Sequence, residues 1–284
     1  LLGTTDASIN LAPMATQSRD LMANLAGVEV GNYYAIVRTD ILNNILESDD
    51  NNNLTASALT VTVTVPELPL NVLTPDVLDN NKALYYRIEI PDSLAGETLL
   101  VTLKGDSTGG ANELYLRFNQ TPTRSDHDFA HGLAFSGNQE VLVPVLQGGT
   151  YYLLAYGSTT GGSVQDITLY AKILNFEIRS VHAPKGGNNG PVTLEIKGSK
   201  FEADMGLQLE KDGNAVFASD VQHVDPTKVF ATFDLDGKTT GLYHVTAEKT
   251  GGETATLSNG FEIVAGGPPD LAINIQQPAN ARPN

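Results

Sequence analysis

The sequence predicts an all-β chain of tandem β-sandwich modules. Two observations predict it: apolar residues recur at every second position over most of the length, and the alternating runs are separated by glycine-containing turn dipeptides. A third is length, since 284 residues exceed one sandwich core at about 150 residues per domain. Alternation is clear in Leu84, Tyr86, Ile88 and Ile90, in Leu99, Val101 and Leu103, and in Leu114, Leu116 and Phe118. It returns in Val192, Leu194 and Ile196 and in Val229, Ala231, Phe233 and Leu235. Such runs are half-buried strands, because a pleated chain sends successive side chains to opposite faces. Gly148-Gly149, Gly161-Gly162, Asn189-Gly190, Asp212-Gly213, Asp236-Gly237 and Asn259-Gly260 supply turns that tolerate positive φ, so antiparallel sheet is expected. A helical stripe tried on Met14 to Leu25 is broken by Thr16, Ser18 and Asn24, and strand and loop are expected there instead.

Composition excludes several function classes. Seventeen basic against 33 acidic residues give a net charge of −16, which repels nucleic acid. The acidity is spread nearly evenly along the chain, as for solvated surfaces. Cysteine and tryptophan are absent, so there are no disulfides, thiolate metal sites or thiol nucleophiles. No apolar run has the roughly 18–20 residues of a membrane helix. Leu1 to Asp6 lacks the basic and apolar regions of a signal peptide, and Asp270 to Ile275, after Gly266-Gly267-Pro268-Pro269, has the pattern of a strand with nothing left to pair. The chain is therefore expected to be a segment of something longer.

A local pattern occurs three times: Gly31-Asn32-Tyr33-Tyr34, Gly149-Thr150-Tyr151-Tyr152 and Gly241-Leu242-Tyr243-His244. A glycine turn feeding a strand with a tyrosine at its mouth suits a late sandwich strand, where the ring closes one end of a core. Three such strands suggest three cores, divided near Pro66 to Pro69 and near Leu174 to Phe176. The expected pieces are 1–66, 67–173, 174–265, and 266–284 as linker and first strand of a following module.

Residues 1–66 resemble the C-terminal half of a CARDB module, an Ig-like domain of bacterial adhesion-related proteins, through Gly31 to Tyr34, Val37 to Asp40 and Glu47 to Asn53. At about 65 residues this piece is partial. Residues 67–173 resemble a bacterial pre-peptidase C-terminal (PPC) domain through Tyr85 to Pro91, Leu99 to Leu103, Glu113 to Phe118 with Pro122-Thr123, and Gly149 to Leu154. Glu113 stands where that family usually has Asp. Residues 174–265 resemble an IPT/TIG domain through Ile178 to Val181, Gly190 to Leu194, the Ile196-x-Gly198-x-x-Phe201 element, Ala231 to Leu235, Gly241 to Tyr243 and Asn259 to Ile263. These resemblances imply Ig-like and jelly-roll-type sandwiches from an extracellular or cell-surface bacterial protein, monomeric as a fragment.

Candidate sites are sparse. His127-Asp128-Phe129-Ala130-His131 mimics a zinc-protease motif with Asp for Glu, but it follows a strand and Pro122, so a solvated loop is the stronger reading. No strand, Gly-x-Ser-x-Gly and helix arrangement positions a nucleophilic serine, and an enzyme is not expected. Asp40, Glu47, Asp49, Asp50 and Asn52 gather oxygens that could hold calcium, set against side chains that merely bond their own turn. Asp76, Asp79, Asn80 and Asn81 form a second such turn. Tyr85, Tyr115 and Tyr151 could form a platform for a glycan or collagen-like ligand, set against sheet-edge or junction packing. The expected role is structural and adhesive: spacing a terminal domain from the cell, with matrix, a glycan or a neighbouring surface protein as partner of the middle module. The alternative is a ligand-binding module accessory to a secreted peptidase.

Overall fold

The computed structural model describes residues 2–6, 12, 14–23, 30–47, 49–105, 110–159 and 164–267. It is all-β. The described residues include no α-helix, and two single 3-10 turns, Asp50–Asn52 and Asp92–Leu94, are the helical content. Residues 14–23 contain no strand, contrary to the strand expected there.

The first element is a two-stranded antiparallel hairpin, β1 (Gly31–Arg38) with β2 (Leu54–Val63). Nearly every residue of both strands is exposed, so the hairpin closes no core among the described residues.

Two closed cores follow. The first is built from β3 (Thr74–Asp79), β4 (Ala83–Ile90), β5 (Leu99–Gly105), β6 (Ala111–Phe118), β7 (Phe129–Ala130), β8 (Gln139–Val143), β9 (Gly149–Thr159) and β10 (Val164–Ile173). These form two four-stranded sheets, ordered β3-β10-β5-β8 and β4-β9-β6-β7. Their inner faces supply Leu78, Ile88, Leu99, Leu103, Leu114, Leu116, Leu153 and Leu169, each fully buried in one cluster. The alternating rows read from the sequence are these inward rows. The entering chain is tied down as well: Leu68 is fully buried in the same core, its N–H donates to the Arg87 carbonyl, and the Arg87 N–H donates to the Pro66 carbonyl.

The second core is built from β11 (Glu177–His182), β12 (Lys185–Gly187), β13 (Pro191–Ser199), β14 (Gly206–Lys211), β15 (Asn214–Phe217), β16 (Asp220–Asp225), β17 (Lys228–Asp234), β18 (Gly241–Glu248) and β19 (Thr254–Val264). The sheets are ordered β11-β13-β17-β16 and β12-β19-β18-β14-β15. Leu194, Ile196, Leu209, Phe233, Val245 and Phe261 fill the space between them. Two details differ from expectation. β12 runs parallel to β19, so the sheet is mixed. Asn259-Gly260 is no turn: it lies inside β19, where three residues face one of β18, and the strand absorbs them as a bulge with Asn259 at φ 53°.

Tyr151 and Tyr243 explain why the glycine-tyrosine pattern repeats. Gly149 and Gly241 hold φ of 128° and 129°, which favours glycine, and each starts a strand whose third residue turns inward. Tyr151, 1% exposed, accepts the Gln147 N–H at 3.0 Å; Tyr243 donates to the Thr239 carbonyl at 2.8 Å. Each ring plugs one end of a core and its hydroxyl ties down backbone four residues upstream.

Candidate functional site

The outer face of the β4-β9-β6-β7 sheet gathers aromatic rings and arginines on one surface. Register dictates its composition. Arg87 of β4 faces Tyr152 of β9, which faces Arg117 of β6; Tyr85 faces Leu154, which faces Tyr115. Next along, Tyr156 faces Glu113, and the Arg124 guanidinium lies 4.3 Å above the Tyr156 ring. Tyr85, Tyr152 and Tyr156 are half-buried, so each offers part of its ring to solvent. Leu154 beneath them is almost fully buried although it points away from the core, which shows how closely the aromatic layer covers the sheet.

Every arginine on this face is ion-paired, three arginines against four carboxylates. Arg87 pairs with Glu89 at 2.5 Å and Glu67 at 3.6 Å, Arg117 with Asp126 at 2.6 Å, and Arg124 clamps both Glu113 oxygens at 2.6 and 2.7 Å. An amphipathic, nearly charge-balanced surface results, with ring faces for stacking and guanidinium and phenol groups for hydrogen bonds. Glu113 also accepts from the Tyr115 hydroxyl at 2.9 Å. Burial pushes Tyr115 up to about 12, with the Glu113 hydrogen bond adding to it. Burial alone would raise Glu113, but hydrogen bonds from Arg124 and Tyr115 outweigh it and hold the carboxyl below its ordinary range.

Of the three tyrosines expected to form a platform, only Tyr85 is placed to serve as one. Tyr115 has the right face but is 8% exposed, roofed by the 121–128 loop: the His127 ring sits 4.6 Å from it and the His131 ring 5.2 Å. Tyr151 is a core residue, for the corner geometry given above. Its neighbours Tyr152 and Tyr156 are the surface residues that the sequence reading missed. The run Leu153-Leu154-Ala155 is apolar on both faces, which hides the phase of the strand; the glycine corner at Gly149, which commits Tyr151 inward, is the signal that could have set it.

The zinc-like motif is not helical. Phe129–Ala130 is a short strand paired with β6, His131 Nδ1 accepts the Leu114 N–H at 3.2 Å, and His127 Nδ1 donates to the Thr123 carbonyl at 3.2 Å. Among the described residues no group of three His, Asp or Glu side chains is placed to hold a metal ion.

Among the described residues, the side chains expected to hold calcium bond their own loop. Asp40 accepts the Asn44 and Ile45 N–H groups at 2.8 and 3.1 Å, Asp49 accepts from Asn51, and Glu47 accepts the Asn53 amide at 2.8 Å. Each of these carboxylates accepts hydrogen bonds from within the 40–53 loop, and Asn52 is exposed. The side chain of Asp50 lies outside the described part. In the second turn Asp76 takes the Tyr86 hydroxyl and the Val77 N–H, while Asn81, at φ 57°, turns the chain from β3 in one sheet to β4 in the other.

No family model matches the chain, and no curated protein matches it. Solved structures do show similarity. The pre-peptidase C-terminal domain of a collagenase from Bacillus anthracis matches at 13% identity and a TM-score of 0.31, covering 38% of this chain and 95% of that domain. Tripeptidyl peptidase 2 matches at 13% identity and a TM-score of 0.33, covering 79% of this chain and 20% of its own. Domains 5–6 of the S-layer protein SbsC match at 14% identity and a TM-score of 0.23, covering 69% of this chain and 98% of that one. Scores this low assign neither an activity nor a ligand.

Proposed function

We propose that the chain is a non-catalytic structural segment of an extracellular or cell-surface protein, in which modules at 67–173 and 174–265 act as one stiff spacer. The observation that carries this reading is the junction between the two cores. Leu174, 1% exposed, continues the β5–β10 ladder of the first module by donating its N–H to the Thr98 carbonyl at 2.9 Å, so the chain enters the second module from an anchored strand end. Arg179 reaches back 39 residues to grip both oxygens of Glu140 at 2.8 and 3.3 Å, and Lys200 pairs with Glu97. Beyond the junction, Lys249 lies 4.5 Å over the Phe176 ring and is held by Glu202 and Glu253 at 3.2 and 3.1 Å. The Arg179–Glu140 and Lys200–Glu97 pairs cross from one module to the other, and a flexible linker would not hold them together. Stacked modules keep their reach, whereas a flexible coil gains length only as the square root of residue number.

The resemblance of residues 67–173 to the PPC family and of 174–265 to IPT/TIG domains supports this reading, as does the even acidity. The test is small-angle scattering on the chain and on Arg179→Ala/Lys200→Ala. Stiff coupling predicts one extended, concentration-independent profile that loosens in the double variant. Identical flexible profiles for both would refute it.

A second reading is favoured by the Tyr85, Tyr152 and Tyr156 surface. In this reading the middle module also holds a neutral polymer, a glycan or a collagen-like peptide, by stacking on those rings. Binding on a glycan and collagen array should fall on Tyr85→Ala and Tyr152→Ala, and unchanged or absent binding counts against it.

A further inference from the structure

The chain leaves the second module through a small cluster of amides. Asn188 holds it from four sides. Its N–H donates to the Val264 carbonyl at 3.0 Å and its Nδ2 to the Lys238 carbonyl at 2.9 Å; its Oδ1 accepts the Gly266 N–H at 2.8 Å and its carbonyl the Gly237 N–H at 3.1 Å. Asn189 completes the cluster. Its Nδ2 donates to the Gly267 carbonyl at 3.3 Å, and its side chain lies so close to Gly187 and Gly266 that a Cβ on either glycine would collide with it.

The residue after Asn189 is glycine, which opens a second chemistry to this amide. A main-chain nitrogen can attack the side-chain carbonyl carbon of the asparagine before it and close a five-membered imide, and a glycine nitrogen does so with no Cβ in the way. The sequence contains two such pairs, Asn189-Gly190 and Asn259-Gly260. The fold separates them. Asn259-Gly260 lies inside β19, where the Asn259 N–H is held by His244 Nδ1 at 3.2 Å and a Cβ on Gly260 would press on Leu257 and Val245. Ring closure there must wait for the strand to open. Asn189, by contrast, is exposed and precedes β13, and among the described residues the Gly190 N–H donates to no acceptor. No atom lies within 4 Å of the place a Gly190 Cβ would take, so the backbone there has room to turn.

We propose that Asn189-Gly190 is a self-modifying site that loosens the exit of the chain from the second module. The Gly190 nitrogen bonds to the Asn189 Cγ, the Cγ–Nδ2 bond breaks, and Nδ2 departs as ammonia with the proton that Gly190 gives up. Water then opens the imide at one of its two carbonyls, leaving aspartate or an isoaspartyl link in which the main chain runs through the side chain. No oxidant or reductant is needed. Either product carries a carboxylate where Asn189 had a donor, so the bond to the Gly267 carbonyl is lost and two oxygens face each other. The isoaspartyl link also inserts a methylene beside Asn188, whose side chain holds Gly266.

The test is peptide mapping by mass spectrometry on the full chain kept in mildly alkaline buffer. It runs beside the same chain unfolded in denaturant and beside full-length Asn189→Gln, which keeps an amide but would have to close a larger ring. The unfolded chain sets the reference rate for both pairs. In the folded chain Asn189 should convert within about threefold of that reference and Asn259 at least about tenfold more slowly, because only Asn259 waits for a strand to open. Hydrogen exchange at the Gly266 amide should quicken as Asn189 converts and stay constant in time in Asn189→Gln. Equal conversion of the two pairs in the folded chain overturns the assignment, as does an Asn189 that persists while the unfolded chain reacts. Conversion that leaves Gly266 exchange unaltered overturns the loosening.

Discussion

Leu174→Ala separates a stiff junction from two independent modules. The substitution keeps the backbone hydrogen bond to Thr98 and removes three carbon groups from a site that is 1% exposed. At about 0.8 kcal/mol per group the transfer loss is about 2.4 kcal/mol, and the space left behind brings the cost to about 3 kcal/mol. For 150–250 residues unfolding together, each kcal/mol moves the midpoint by about 2–4 °C, so the drop should be about 6–12 °C. Differential scanning calorimetry is the assay. Because Leu174 is where the last strand of the first module passes into the second, its loss should also uncouple them, turning one cooperative transition into two. A parent chain that already shows two transitions, only one of them lowered in the variant, or a midpoint that moves by less than about 2 °C, would refute the stiff junction.

Other expectations rest on single residues. Glu113→Gln should cost about 1 kcal/mol near neutral pH, because Glu113 receives Arg124 and Tyr115; the folded carboxyl lies below its unfolded value, so the stabilisation is present above the ordinary carboxylate range and vanishes as pH falls through the folded value. Parent and variant melting curves should therefore converge as the pH falls well below the ordinary carboxylate range, and a gap that persists there would contradict the ion-pair assignment. Gly198→Ala should destabilise the second module by about 1–3 kcal/mol or more, since a Cβ there would collide with the Glu177 carbonyl oxygen and the Phe201 ring; chemical denaturation checks it. Tyr151→Phe should cost about 1 kcal/mol by freeing the Gln147 N–H while leaving polymer binding intact, which is the reverse of Tyr152→Ala. Calcium, with or without chelator, should leave the melting midpoint in place, because the Asp40 and Asp49 carboxylates already hold their own loop; a rise reversed by chelator would contradict this.

Strand identity is legible in the sequence because both cores are walled by runs in which one face is uniformly apolar: Leu99, Val101 and Leu103 leave only one phase open. Where both phases are apolar the sequence is ambiguous, and an expected platform that includes Tyr151 has the wrong side of β9 for that reason. Asn259-Gly260 has turn chemistry yet sits within a strand, since a bulge asks for the same positive φ as a turn. The carboxylates of the 40–52 loop resemble a cation site because self-capping turns and calcium loops draw on the same residue types. The junction is the least legible feature. Nothing in Leu174 or Arg179 alone marks them, and the meaning of Arg179 depends on Glu140, brought to it by the folding of the whole first module.

The most direct measurement of the central claim is the distance between the two cores. The chain has no cysteine, so Lys82→Cys and Lys238→Cys, both exposed positions, give a clean pair for spin labelling. Pulsed electron resonance should return one narrow distance distribution that broadens when Arg179→Ala and Leu174→Ala are added. A broad distribution in the parent chain, unaltered by those substitutions, would mean that the two sandwiches move freely and that the segment is not a stiff spacer.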